Sequence, residues 1–129
     1  MDFKQLYGEN CDVTQAEKRL NALKAKFEKE EASKPERVYS SSGRAEVLGN
    51  HTDHNHGKVM VAAISCDVLC CASRRTDGII KVVSDGYAPI IVNLGELEKR
   101  PCEAGTSAAL VRGVASAIKQ KGLDFGGFT

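Results

Sequence analysis

Apolar and polar positions alternate with two distinct periods along the chain, and the change of period comes near residue 37. Before it, Ala16, Leu20, Leu23 and Phe27 recur at helical spacing, while Lys18, Arg19, Lys24, Lys26, Glu28, Lys29, Glu30 and Glu31 fill the other side. That pattern predicts an amphipathic helix with a solvated charged face to which no partner is assigned. Thr14 and Glu17 have the spacing of a capping box, and Pro35 is expected to end the helix. After residue 37 the chain reads as extended segments. Val38 to Leu48 is expected to be interrupted near Gly43, and Val59–Ser65 and Asp67–Arg74 read as two strands rich in Val, Ile, Leu and Cys. Thr76-Asp77-Gly78 predicts a turn, Ile79–Ser84 the returning strand, Asp85-Gly86 a second turn and Ile90–Leu94 another extended run. A helix is expected from about Thr106 to Lys121, with Leu110, Val114, Ala117 and Ile118 on its apolar face, Val111 beside them and Gly122 as its stop. Phe125 to Phe128 reads as the start of a further strand. The order predicts an α+β fold, an antiparallel-rich sheet with helices on one face. The expected division is a helical segment over residues 1–36 and a domain over 37–129.

Composition narrows the function classes. The chain has 129 residues, 42% apolar and 27% charged, with 18 Lys+Arg against 17 Asp+Glu. A formal charge of +1 argues against a nucleic-acid surface, which needs a basic excess. The longest apolar run, Val59 to Ile64, is far shorter than the roughly 20 residues of a membrane span, so no membrane partner is expected. Without a secretory pattern after Met1, the cytoplasm is the expected compartment. Cys11, Cys66, Cys70, Cys71 and Cys102 lack paired spacing and read as buried, reduced thiols.

The chemistry is concentrated between Gly43 and Gly57. Arg44 offers a fixed cation suited to charge on a transferring phosphoryl group. Asn50, His51, Thr52 and Asp53 set donors and acceptors side by side, as vicinal hydroxyls require, and a short carboxylate can accept two hydroxyl hydrogen bonds at once. Three readings stand together on the residues alone. One is a polar turn whose His and Asp satisfy backbone groups, which composition favours. Another is a metal site from His51, Asp53, His54 and His56, weakened because zinc sites draw ligands from separated clusters. The last is a sugar-and-phosphate site.

Gly43-Arg44, then Gly49-Asn50-His51-Thr52-Asp53-His54-Asn55, then Gly57, Val59 and Ala62-Ala63-Ile64 resemble the galactokinase signature of the GHMP small-molecule kinase superfamily. That signature runs Gly-Arg, a short gap, then Gly-Glu-His-Thr-Asp-Tyr-Asn with a following Gly and Val. Asn50 stands in place of the usual Glu, His54 in place of Tyr, Glu46 in place of a common Asn, and Ser41-Ser42 where Ala-Pro is typical. The resemblance implies a domain like that of ribosomal protein S5 domain 2, with its left-handed β-α-β unit. It implies transfer of the ATP γ-phosphoryl group, with Mg²⁺, to the anomeric hydroxyl of galactose. Arg44 is then the catalytic cation, Asn50, His51, Thr52 and Asp53 the sugar-binding residues, and Ser84 a nucleotide contact; no metal ligand is assigned. Alternatives are a kinase for another sugar, such as galacturonate, and a non-catalytic sugar sensor. The superfamily's serine-rich phosphate loop, which opens a helix and cradles the nucleotide, has no counterpart in the sequence. The chain is therefore expected to be an amino-terminal portion, inactive alone, with an exposed sheet edge that favours self-association.

Overall fold

Two aspartates start the first helices. Asp2 accepts from the amides of Lys4 and Gln5, at 3.1 and 3.2 Å, to open helix α1, Phe3–Tyr7. Asp12 accepts from the Gln15 amide at 3.0 Å to open α2, Val13–Glu31. In both, a carboxylate satisfies first-turn donors at the positive end of the helix. Asp12, not the expected Thr14, is thus the cap, because Thr14 already lies inside the first turn. The helix also ends before Pro35, where Ala32 turns into left-handed backbone at φ 52°. The computed structural model describes residues 2–49 and 52–129, with every side chain among them except that of Asp53. They form two compact units, Met1–Cys71 and Ala72–Thr129.

In the first unit, strands β1 (Arg37–Leu48) and β2 (Met60–Ala72) pair as a long ribbon. The expected break at Gly43 is absent. A Cβ there would lie 2.9 Å from the Cys66 carbonyl oxygen, so glycine lets the two strands approach without interrupting β1. The two strands expected over 59–65 and 67–74 are largely one, because the chain stays extended through Cys66. Asp67 is the fastening point of this unit, its side chain only 2% exposed. Its carboxylate accepts from the Tyr7 hydroxyl at 2.7 Å, from Ser40 Oγ and from the Arg19 guanidinium, which also donates to the Asp67 carbonyl at 2.9 Å. One carboxylate therefore joins α1, α2, β1 and β2. Arg19, assigned by its charged face to solvent, has a partner. Phe3 and Leu20 are buried beside this network, and Ala16, Leu23 and Phe27 are half-buried as their spacing predicts.

The second unit holds β3 (Arg74–Arg75), β4 (Ile79–Val82), β5 (Ile90–Asn93), β6 (Gly127–Phe128) and helix α3 (Ser107–Gln120). Its sheet has the order β3-β6-β4-β5. β4 and β5 run antiparallel with Ile80 opposite Val92, β3 and β6 are antiparallel, and β4 and β6 are parallel. The α+β class with an antiparallel-rich sheet matches the sequence reading. Ile80, Val92 and Ala115 form the core, flanked by Val82, Ile90, Leu94, Leu97, Val111 and Phe125. The packed face of α3 is rotated from expectation. Val111, Ala115 and Ile118 turn inward, whereas Leu110 and Val114 are 70% and 54% exposed. The rotation follows from Arg112, which is buried: its guanidinium grips Glu103 with two hydrogen bonds of 2.7 Å and donates to the Glu96 carbonyl. A helix turned to the Leu110 face would strand that charge away from its carboxylate. Of the five free cysteines only Cys71 is buried. Cys66, Cys70 and Cys102 are exposed, so the expectation of buried thiols fails for them.

Burial pushes the Asp67 carboxyl up, but hydrogen bonds from Ser40, Tyr7 and Arg19 and the Arg19 charge outweigh it and hold the group at about 2. A carboxyl depressed in the fold contributes stability above its unfolded value and loses it as pH falls through the folded one. Asp67→Asn should therefore cost about 2 kcal/mol at neutral pH, the scale of the shift from 3.8 to about 2. Urea unfolding followed by circular dichroism should show that difference shrinking as pH drops from about 4 towards 2. Equal stability of the two proteins at neutral pH would contradict this role.

Candidate functional site

Arg44 lies on β1 four residues beyond Ser40, where the ribbon has left the Asp67 network. From Arg44 to Leu48 every side chain is exposed, as is every one from Met60 to Cys66 on the opposite strand. Arg44 has no hydrogen-bond or ion-pair partner among the described residues. A guanidinium without an internal carboxylate is available to an anion from outside.

The segment joining β1 to β2 is held by short backbone bonds. Thr52 donates its amide to the Gly49 carbonyl at 2.7 Å and opens a single 3-10 turn, Thr52–Asn55. The Gly57 amide then returns to the Thr52 carbonyl at 2.8 Å, and Thr52 Oγ1 donates to the Lys58 carbonyl at 3.4 Å. Two glycines make this closure sterically feasible. Gly49 has φ +103°, a value that L side chains rarely adopt. At Gly57 a Cβ would lie 2.7 Å from the Thr52 carbonyl oxygen and 2.8 Å from its hydroxyl. The left-handed His56, at φ 59°, completes the reversal. Gly49 and Gly57 are thus both bonded to Thr52, which is the clasp between them.

Of the residues singled out in the sequence, Arg44 and Thr52 stand on this ribbon and loop, and the Asp53 backbone lies in the 3-10 turn. Asn50, His51 and the Asp53 side chain lie outside the described residues, so their sugar-binding assignments are expectations only. Ser84 is in the second unit, exposed after β4, with its carbonyl accepting from the Tyr87 amide at 3.2 Å. The roles of Gly49 and Gly57 as closures were missed by the motif, which marks their positions but not the backbone they approach. Asp67 was missed entirely, since its partner Tyr7 is 60 residues away in sequence.

Residues 25–74 match the family model described as the galactokinase galactose-binding signature, a span that takes in the end of α2 and all of the ribbon and loop. A galactokinase of Streptomyces coelicolor is 32% identical over 95 residues, which are 74% of this chain and 24% of that protein. The Bos taurus galactokinase is 31% identical over 106 residues, 78% of this chain and 27% of that protein. Among solved structures, the Lactococcus lactis galactokinase complexed with galactose matches with a TM-score of 0.68 at 31% identity. That match covers 84% of this chain and 29% of the solved one. The chain thus spans about a quarter of the length of the curated relatives it matches. By signature, relatives and fold together, this chain belongs to the galactokinase family.

Proposed function

We propose that the Gly49–Gly57 loop and Arg44 are the sugar-reading part of an ATP-dependent kinase that phosphorylates galactose at its anomeric hydroxyl. The observation that carries the reading is the coincidence of the galactose-binding signature with one structural device, the ribbon and its glycine-closed loop. His51 and Asp53 would hydrogen-bond sugar hydroxyls, and Asn50 would add a neutral donor and acceptor where relatives carry a charge. Thr52 would hold the loop, since its amide, carbonyl and hydroxyl are already engaged within it. Arg44 would stabilise negative charge that grows on the transferring group. ATP is the proposed phosphoryl donor, with Ser84 as a nucleotide contact. Mg²⁺ is proposed to accompany ATP in the complete enzyme; among the described residues no three His, Cys, Asp or Glu side chains stand together as a metal-holding group, and none is assigned as its ligand. No step is therefore assigned to the metal.

A cation that acts only on transition-state charge affects kcat more than KM. In the complete enzyme containing this segment, Arg44→Ala should lower kcat by about 100-fold and change the galactose KM far less. An unchanged kcat would remove Arg44 from the chemistry.

Gly57→Ala tests the loop. The added methyl collides with Thr52 at 2.7 Å, so galactose affinity measured by calorimetry should fall while the circular dichroism of the protein stays the same. Retained affinity would show that the loop does not read the sugar.

The 129-residue chain alone should release no galactose-dependent ADP in a coupled assay with ATP and Mg²⁺. Phosphoryl transfer needs positioned phosphates and neutralised charge, and no phosphate-cradling loop appears in its sequence. Turnover that co-purifies with the chain would contradict this. In the complete enzyme, galactose binding without any ATP turnover would support the sensor alternative.

A further inference from the structure

The outer half of the ribbon carries, besides Arg44, a backbone edge that the sugar reading does not use. Among the described residues β1 pairs with β2 alone, so its second edge presents unpaired backbone donors and acceptors along Ser42–Leu48. An exposed, regular edge of this kind is a template for another strand. Val47 and Leu48 on it are 57% and 64% exposed. Arg44 and Glu46 sit two residues apart, on one face of the strand, and neither has a side-chain partner among the described residues.

We infer that this edge pairs with the same edge of a second copy of the chain, antiparallel about a two-fold axis at Ala45. In that register Arg44 of each copy faces Glu46 of the other, giving two opposite-charge cross-strand pairs from one self-complementary sequence. The same register sets Val47 against Gly43 and Leu48 against Ser42, so each bulky apolar side chain meets a small residue. A shift of one residue in either direction would break both charge pairs. The partner edge on β2 lacks such a code, because Met60–Ile64 contains no charged residue to fix a register. A net charge of +1 leaves little long-range repulsion between copies. The pairing covers Arg44, so association and anion binding at Arg44 would compete.

Sedimentation velocity over a concentration series tests the inference on the intact chain. The wild-type chain should show a concentration-dependent dimer that weakens as salt is raised. Glu46→Arg sets Arg against Arg twice and should weaken dimerisation about tenfold or more. Arg44→Glu combined with Glu46→Arg restores opposite charges across the axis and should restore the dimer. Circular dichroism of both variants confirms that they remain folded. A monomer throughout the wild-type series, a dimer indifferent to Glu46→Arg, or failure of the charge-swapped chain to recover would each overturn it.

Discussion

A single carboxylate, Asp67, carries the architecture on which the candidate site depends. It is nearly inaccessible to water and yet ionised, because three donors from three other elements meet it. Burying a charge is costly unless it is paired and hydrogen-bonded, and here Arg19 supplies the countercharge while Tyr7 and Ser40 fill further lone pairs. The same bond holds the Tyr7 phenol above its usual range. This network fastens the root of the ribbon to both helices. Beyond it, the two strands run outward with exposed side chains on both faces, and the loop at the far end inherits whatever orientation the root imposes.

The loop itself is ordered by a different constraint, close approach of backbone to backbone. Gly43 lets β1 press against Cys66, Gly49 takes up a left-handed conformation, and Gly57 admits the Thr52 carbonyl and hydroxyl. None of these contacts involves a charge. The bonds that close the loop join backbone groups and the Thr52 hydroxyl. Arg44, exposed on β1 and without a hydrogen-bond or ion-pair partner among the described residues, presents a cation on the strand that leads into the loop.

What the sequence disclosed was what local spacing encodes. The half-buried stripe of α2, the turn at Gly78 and the limits of α3 follow from period, turn chemistry and capping, and each is found where the pattern places it. The signature also marked Arg44 and the loop, because its residues lie close together in the chain. Distant pairings were invisible. Nothing local announces Tyr7, Arg19 or Ser40 as partners of Asp67. The pairing of Arg112 with Glu103 was equally invisible, and it rotates α3 away from its most apolar stripe. Cys66 and Cys70 were misplaced because residue type is a poor guide to burial on a ribbon open on both faces.

The central claim is that the Gly49–Gly57 loop, with Arg44, meets the sugar. It is tested most directly by titrating galactose into the isotopically labelled chain and mapping amide shifts by NMR. The account predicts saturable shifts concentrated at Arg44 and residues 49–58, with glucose producing weaker ones and Ala72–Thr129 largely silent. Galactose-dependent shifts confined to the second unit, or none at saturating sugar in a folded chain, would contradict it.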